Sequence, residues 1–256
     1  MEPVSDFTTV RAIFLRQRNL LMLSADFTPI FTDYYLHLHD IGERPAPNLD
    51  AMLKDYLAAM TLHLTARPWA ETIAWTANLR APRINIFATG SSNAENITGR
   101  IFTEDVREPD RNFLYSQTLH NGVDPRRSTI EVEGTDPLAW VEQYYKQSEQ
   151  RPGKAFRLAE DHYCLLTAQP DFDKEWLDNL TRDEALNLLE KEDHNELETR
   201  RFRFYCGCNL EKIMPVLSAW KDKADQLFQG EAQIKVQCPR CAKKYIITPA
   251  ELNDYL

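Results

Sequence analysis

Four cysteines form two close pairs, one with a single residue between its members and one with two. They are Cys206, Cys208, Cys238 and Cys241. In a cytoplasmic protein such pairs indicate a metal rather than structural disulfides, because four thiolates satisfy the tetrahedral preference of Zn²⁺. Four unrelated buried cysteines would not explain the pairing. The sequence therefore predicts one Zn²⁺ held by these four side chains.

The same four sulfurs also predict redox chemistry. Zinc ribbons usually separate paired ligands by two to four residues, whereas Gly207 alone separates the first pair and relaxes the backbone between two ligands. Four thiolates carry more negative charge than one Zn²⁺ neutralises, so the centre is electron-rich and open to oxidants unless it is shielded. Metal binding and thiol oxidation can thus reside in the same atoms.

The residues around the cysteines predict the elements that position them. Alternating apolar residues flank the second pair, namely Ile234, Val236, Tyr245 and Ile247. This alternation predicts a hairpin with Cys238 and Cys241 at its tip. Between the two pairs the sequence predicts helices, the first limited by Pro215 and the last ended at Gly230.

Farther upstream, apolar residues recur with helical spacing over residues 48–65, and Asn48 is expected to cap this helix. Its second half is apolar nearly all round, which predicts a buried helix. A further helix is expected over residues 138–145, and alternation predicts strands near residues 35–39, 73–77, 84–88 and 128–132 and one strand over 156–168. Sheet and helices mix without regular βαβ alternation, so we expect an α+β fold.

Charge is distributed unevenly along the chain. The formal net charge is −9. Nucleic-acid binding generally needs clustered Lys and Arg, so this balance argues against nucleic acid as a partner. Residues 170–199 carry eleven acidic and three basic side chains, a net −8, and contain a capping-box pattern at Thr181 and Glu184. This segment can form helix, but we expect it to fold only against another surface, because its apolar content is small.

Other residue patterns bear on location and chemistry. Every apolar run is far shorter than the ~18–20 residues of a membrane span, and Arg11 interrupts the first one, so we expect a cytoplasmic protein. The sequence has no glycine-rich phosphate loop and no G-x-S-x-G motif, and we expect no enzymatic activity. His37 and His39 would share one face of a strand, and we favour a surface pair, or a pair with satisfied hydrogen bonds, over half a metal site. Cys164 is expected to be a small buried hydrophobe outside the redox chemistry.

Several motifs together resemble the family of redox-regulated heat-shock protein 33 chaperones. They are RFYCGC at residues 203–208, IKVQCPRC at residues 234–241 followed by Tyr245, Glu251-Leu252, and VEQYYKQSEQRP at residues 141–152. Residues 48–65 are similar to the family's buried central helix. The family's glycine-rich turn after that helix is replaced here by LRAPRI at residues 79–84.

This resemblance implies a layered β/α/β N-terminal domain at residues 1–169, a helical, metastable acidic linker at residues 170–205 and a zinc-binding redox switch at residues 206–256. It implies that oxidation expels zinc and pairs Cys206 with Cys208 and Cys238 with Cys241. The linker would then unfold and expose surface that holds unfolding client proteins without ATP during heat or oxidative stress. A homodimer in the oxidised state is also implied.

A second function remains open from the residues alone. Arg240, Lys243 and Lys244 lie beside the second cysteine pair. They allow a zinc-ribbon interaction module that contacts nucleic acid and lacks switched chaperone activity. Three bases are few for phosphate binding, so we favour the thiol-switched chaperone.

Overall fold

The structure is a computed structural model that describes residues 6–120 and 122–255. The ends of the predicted domains at residues 1–5 and 256 lie outside this range. The strands are β1 (Thr8–Leu15), β2 (Leu20–Asp26), β3 (Glu71–Leu79), β4 (Ile84–Ser91), β5 (Asn96–Phe102), β6 (Phe113–His120), β7 (Val123–Glu131), β8 (Gly153–Arg157), β9 (His162–Ala168), β10 (His194–Phe204), β11 (Ile234–Gln237) and β12 (Lys244–Ile247). The helices are α1 (Thr28–Ile41), α2 (Pro47–Thr65), α3 (Pro137–Gln147), α4 (Lys174–Asn179), α5 (Arg182–Leu186), α6 (Leu188–Lys191), α7 (Leu210–Ile213), α8 (Ala224–Phe228) and α9 (Pro249–Tyr255), with a 3₁₀ helix at Met214–Lys223.

Ten strands form one large sheet in the order β7-β6-β3-β4-β5-β10-β1-β2-β9-β8. Neighbouring strands are antiparallel except β5 and β10, which run parallel. In β3 the predicted alternation is complete, with Ile73, Trp75 and Ala77 buried. The predicted α+β fold is confirmed.

Helix α2 lies at the centre of the main hydrophobic core. Residues 56–65 are all buried, and the helix contacts strands from both halves of the sheet. Burial on all sides requires protein on both faces of the helix, which confirms the predicted β/α/β layering. The prediction that Asn48 caps this helix is wrong. The N-cap is Ala46, and Pro47 occupies the first turn, where its missing N–H leaves no bond unmade.

Two other local predictions are corrected by the structure. Residues 35–39 belong to helix α1, whose buried face is formed by Ile30, Phe31 and Tyr34. Their apolar alternation misled because Leu36 is exposed, so the apolar positions do not all share one side. Residues 156–168 form two strands, β8 and β9, rather than one, because a turn at residues 158–161 reverses the chain.

The acidic segment is folded in this structure. Helices α4 to α6 lie between residues 174 and 191, and the predicted capping box at Thr181 and Glu184 is present. Leu177, Leu180 and Leu188 pack in a second hydrophobic cluster with Ile13 and other residues of β1, β2 and β9, on the sheet face opposite to α2. The prediction of a helical linker holds for these helices but not for residues 194–204, which form β10 within the sheet.

No helix in the described part of the chain is long and apolar enough to cross a membrane.

Candidate metal centre

Two separate elements bring the four cysteines together. Strand β10 leaves the sheet after Phe204, and Cys206 and Cys208 lie on the irregular segment that follows. Gly207 between them has a φ of 65°, a left-handed value that favours glycine. The other pair lies at the tip of the predicted β11–β12 hairpin, which the structure confirms.

Backbone hydrogen bonds shape the tip of this hairpin. The N–H of Cys238 donates to the carbonyl of Lys243 at 2.8 Å, and the N–H of Ala242 donates to the carbonyl of Cys238 at 3.0 Å. The Gln237 side chain donates to the carbonyl of Ala242 at 3.2 Å. These bonds turn the chain tightly, so that both thiols of the pair reach the same point.

The four sulfur atoms all lie within 4.8 Å of one another. The sulfurs of Cys206 and Cys238 are 3.8 Å apart, and those of Cys208 and Cys241 are 3.5 Å apart. A Zn²⁺ tetrahedron with Zn–S bonds of about 2.3 Å has sulfur–sulfur edges of about 3.8 Å. The observed spacing therefore fits a four-coordinate metal ion.

Burial and electrostatics also fit a cation at this point. Cys238 and Cys241 are buried, whereas Cys206 and Cys208 are half-buried. The pKa of the Cys206 thiol is raised by the neighbouring Cys241 sulfur and by burial, and burial raises the pKa of Cys208. Thiols held this way ionise together only when a positive charge offsets their repulsion, which is what a divalent metal supplies.

The surroundings of the sulfurs supply a second layer of contacts. The Tyr245 hydroxyl donates to the sulfur of Cys208 at 3.1 Å, which favours the thiolate of that residue. A small hydrophobic cluster supports the centre through Met214, Phe228, Ile247 and Leu252. This cluster is small for a unit of about fifty residues, so the metal would contribute a large share of its folding free energy.

Sequence reasoning missed a contact between the centre and helix α1. The ring Nε2 of His37 lies 2.6 Å from the carbonyl oxygen of Cys241, so the ring nitrogen donates and the carbonyl accepts. The His37 ring also lies 5.6 Å from the ring of Phe204 at the end of β10. His37 thus joins the hairpin tip to the large sheet domain. His39 lies on the same helix and is exposed.

A second missed group holds the acidic segment at both ends. Arg18, in the β1–β2 turn, contacts Asp173 at 2.8 Å and Glu192 at 3.1 Å, which lie before α4 and after α6. Its guanidinium also lies 5.0 Å from the centre of the Trp176 ring. The Arg18 carbonyl accepts from the N–H of Asp173, and the N–H of Arg16 donates to the carbonyl of Asp193. No local sequence pattern predicts these contacts, because the partners are more than 150 residues apart.

The other candidate residues of the sequence are either buried away from the four sulfurs or exposed to solvent. Cys164 is fully buried in the cluster beneath α4 to α6, and burial raises the pKa of its thiol to about 12. This placement agrees with the prediction of a small buried hydrophobe. Arg240, Lys243 and Lys244 are exposed at the hairpin tip.

Residues 154–248 match the family model of the Hsp33 protein. The chain is 31% identical over 79 residues to a 33 kDa chaperonin of Acholeplasma laidlawii, and 32% identical over 75 residues to one of Bacillus licheniformis. These alignments cover 30% and 29% of this chain and only 27% and 26% of the relatives.

The structural likeness covers much more of the chain. The crystal structure of the 33 kDa chaperonin (heat shock protein 33 homolog) from Thermotoga maritima aligns with a TM-score of 0.76 over 97% of each chain, at 14% identity. This identity is low, so the likeness concerns the fold. The family match, in contrast, spans all four cysteines. Residues 154–248 thus resemble the Hsp33 family, and the chain shares the fold of the Thermotoga maritima heat shock protein 33 homolog.

Proposed function

We propose that this protein is a redox-regulated holdase, a chaperone that binds unfolding proteins without ATP after its four-cysteine zinc centre is oxidised. One observation supports this proposal most. The sulfurs converge within 4.8 Å at the point where the chain leaves β10, the strand that continues from the acidic segment. A change at the sulfurs therefore acts on the end of that segment.

Zn²⁺ in this site would hold Cys206, Cys208, Cys238 and Cys241 as thiolates and stabilise the small domain around them. The chain itself does the rest of the positioning. Gly207 permits the tight spacing of the first pair, and the Tyr245 hydroxyl directs its proton to the sulfur of Cys208. The same proposal includes the domain boundaries, with the acidic linker beginning at residue 170 and the zinc-binding domain at residue 206.

Oxidation would start at the more accessible pair. Cys206 and Cys208 are half-buried, whereas Cys238 and Cys241 are almost fully buried, so a peroxide reaches the first pair more readily. Each pair of thiolates would give two electrons to one hydrogen peroxide, which takes up two protons from the solvent and yields one disulfide and two water molecules. A disulfide sulfur is a poor ligand, so a site oxidised in this way would no longer hold the metal.

Loss of the zinc-bound fold would weaken the docking of residues 170–205. Helices α4 to α6 cover apolar side chains of the sheet, including Ile13, Leu20 and Leu166. Departure of these helices exposes that apolar face, which can bind the apolar segments of an unfolding protein. The net charge of −8 on residues 170–199 would keep the complex soluble.

The proposal concerns binding and assigns no catalytic residue. Its partners are unfolding client proteins, with a homodimer in the oxidised state. We place it in the reducing cytoplasm, where the thiols stay reduced until an oxidant appears during stress.

Aggregation of a heat-unfolded client tests this function. Light scattering is measured with reduced protein and with peroxide-treated protein, and released zinc is quantified with a chromogenic chelator. We expect suppression only after oxidation, with about one zinc released per chain. Equal activity in both forms, or zinc release without suppression, would remove the basis of the proposal.

The alternative of a nucleic-acid module is tested alongside. Binding of a single-stranded oligonucleotide to the reduced protein is measured at two salt concentrations. Affinity that falls steeply with salt and is lost in an Arg240→Ala, Lys243→Ala, Lys244→Ala variant would favour that alternative. We expect no such binding.

A further inference from the structure

Strand β5 is paired along the whole of one edge but along only part of the other. On one side β4 pairs with every residue from Asn96 to Phe102. On the other side β10 pairs only with Asn96 and Ile97, because β10 leaves the sheet after Phe204 to reach the cysteines. The edge of β5 beyond Ile97 therefore has no neighbouring strand within the described residues.

The hydrogen-bonding groups on this open edge can be identified from the pairing. The N–H of Tyr205 donates to the carbonyl of Ile97 at 2.9 Å, so the backbone groups of Ile97 face β10. Backbone groups alternate between the two edges of a strand, so those of Gly99 and Ile101 face the same way. In the described part of the chain no hydrogen bond joins these groups to another residue.

The open edge lies in a cleft with a volume of about 990 Å³. Besides Gly99 and Ile101, its lining includes Leu38 of α1 and Leu53 of α2, which offer apolar surface next to the strand. The cysteine hairpin contributes Ala242. The cleft is thus shared by the sheet domain and the metal centre.

The chemistry of this edge suits an extended polypeptide. Alternating N–H and C=O groups carry partial charges complementary to those of another extended backbone, so a strand can be added at this edge of β5. Charged side chains at the cleft have both signs, with Arg44 and Lys244 against Glu43 and Glu104. The lining therefore selects no net charge, as suits partners of varied sequence.

We propose that the cleft binds an extended segment of an unfolded polypeptide, which adds as a strand beside residues 99–101 of β5. This inference rests on the proposed holdase function and deepens it, because it names where the client's backbone binds. His37 holds the hairpin at this cleft through the Cys241 carbonyl. Loosening of the hairpin on oxidation therefore widens the cleft and strengthens binding.

N-methylated peptides test the proposed backbone contact. The probe is a fluorescent eight-residue peptide of alternating apolar and polar residues, and its binding to reduced and oxidised full-length protein is measured by anisotropy. One peptide carries N-methyl groups at its odd positions and another at its even positions. Because only alternate N–H groups face β5, we expect one set to weaken binding about tenfold and the other to weaken it little.

A proline substitution tests the strand itself. Ile101→Pro removes the N–H that faces the cleft and leaves the groups that pair with β4, whereas the control Ile101→Val keeps the N–H. We expect peptide affinity to fall about tenfold in Ile101→Pro only, with β4 protection in hydrogen exchange unchanged. If Ile101→Pro fails to fold, the N-methyl series decides.

The outcomes separate this inference from the proposed function. Equal effects of the two N-methylated sets, or full peptide affinity in folded Ile101→Pro, would overturn the inference. So would a dimer that Ile101→Pro dissociates and the peptide cannot displace, because the edge would then be occupied by a second copy. In each case aggregation suppression by the oxidised wild type leaves the holdase function standing, and its absence overturns that function too.

Discussion

The spacing of the four cysteine sulfurs fits the edges of a zinc tetrahedron. Cys241 combines two contacts, since its sulfur belongs to the cluster and its carbonyl accepts from His37. Residues with a single role, such as the buried Cys164, offer matched controls.

Replacement of one ligand tests the metal site. We expect Cys241→Ser to lower the zinc content from about one per chain to well below half, because three thiolates hold Zn²⁺ much less tightly than four. The small domain around residues 206–255 should lose protection from hydrogen exchange. Metal analysis of protein purified under reductant gives the stoichiometry.

The control is Cys164→Ala, which removes one thiol from the apolar cluster beneath α4 to α6. It should keep its zinc and lose only about 1 kcal/mol of unfolding free energy. Equal zinc content in both variants would show that the four cysteines are not the ligands.

Oxidation is also expected to pair the four cysteines in a particular way. In the folded centre the sulfurs of Cys208 and Cys241 are only 3.5 Å apart, so links across the pairs would form if the centre stayed folded. Once the segment loosens, closing the loop from Cys208 to Cys238 spans about tenfold more chain than either local pair and costs about 2 kcal/mol more. We therefore expect Cys206–Cys208 and Cys238–Cys241 links.

Peptide mapping of peroxide-treated protein distinguishes the two patterns. Mostly local links agree with loosening before the second sulfur reacts. Mostly Cys208–Cys241 links, or Cys164 in a disulfide, would contradict the expected order.

Helices α4 to α6 and strand β10 are the elements that connect the centre to the sheet. They are held by a few apolar side chains, by the ladder between β1 and β10, and by the contacts of Arg18 at the β1–β2 turn. The turn thus touches both ends of the helical part of the acidic segment. Removal of the Arg18 contacts should loosen helices α4 to α6 without changing the cysteine sulfurs.

The Arg18 contacts give the third prediction. In the zinc-bound protein, Arg18→Ala should make amide exchange of residues 173–192 severalfold faster, because Asp173 and Glu192 lose their shared cation and Trp176 loses a stacked partner. The control is Arg11→Ala, since Arg11 pairs with the exposed Glu196 on β10. If the two variants exchange alike while zinc is retained, Arg18 does not hold the helices.

Helices and strands could be predicted where their apolar residues follow a regular pattern in the sequence. Helix α2 was predictable because its apolar residues recur with helical spacing, and the hairpin was predictable from alternation around the cysteines. Strand β10 was hidden because its first half is acidic and because it buries Arg200. That arginine is tolerated in the sheet because its guanidinium donates hydrogen bonds to the carbonyls of Leu64 and Arg67.

The candidate site could likewise be predicted only in part. Four cysteines at metal-ligand spacing could be predicted to converge, because their chemistry requires it. The His37 contact, the Arg18 contacts and the open edge of β5 could not, because each joins segments that only the tertiary fold brings together.

For the whole molecule, the sheet domain, the acidic segment and the cysteine domain are arranged in sequence along one chain. Three hydrophobic clusters mark them, one around α2, one beneath α4 to α6 and one beside the cysteines. The last two are much smaller than the first, so they should be the least stable parts of the fold. A few kcal/mol lost at the cysteines is then enough to release the acidic segment while the main core stays folded.

Hydrogen exchange of the full-length protein, reduced with zinc and oxidised without it, tests this coupling most directly. We predict that oxidation abolishes protection over residues 170–205 and the cysteine domain and leaves α2 protected. Unchanged protection over residues 170–205 would contradict the account, because the centre would then be a structural site that does not control the acidic segment.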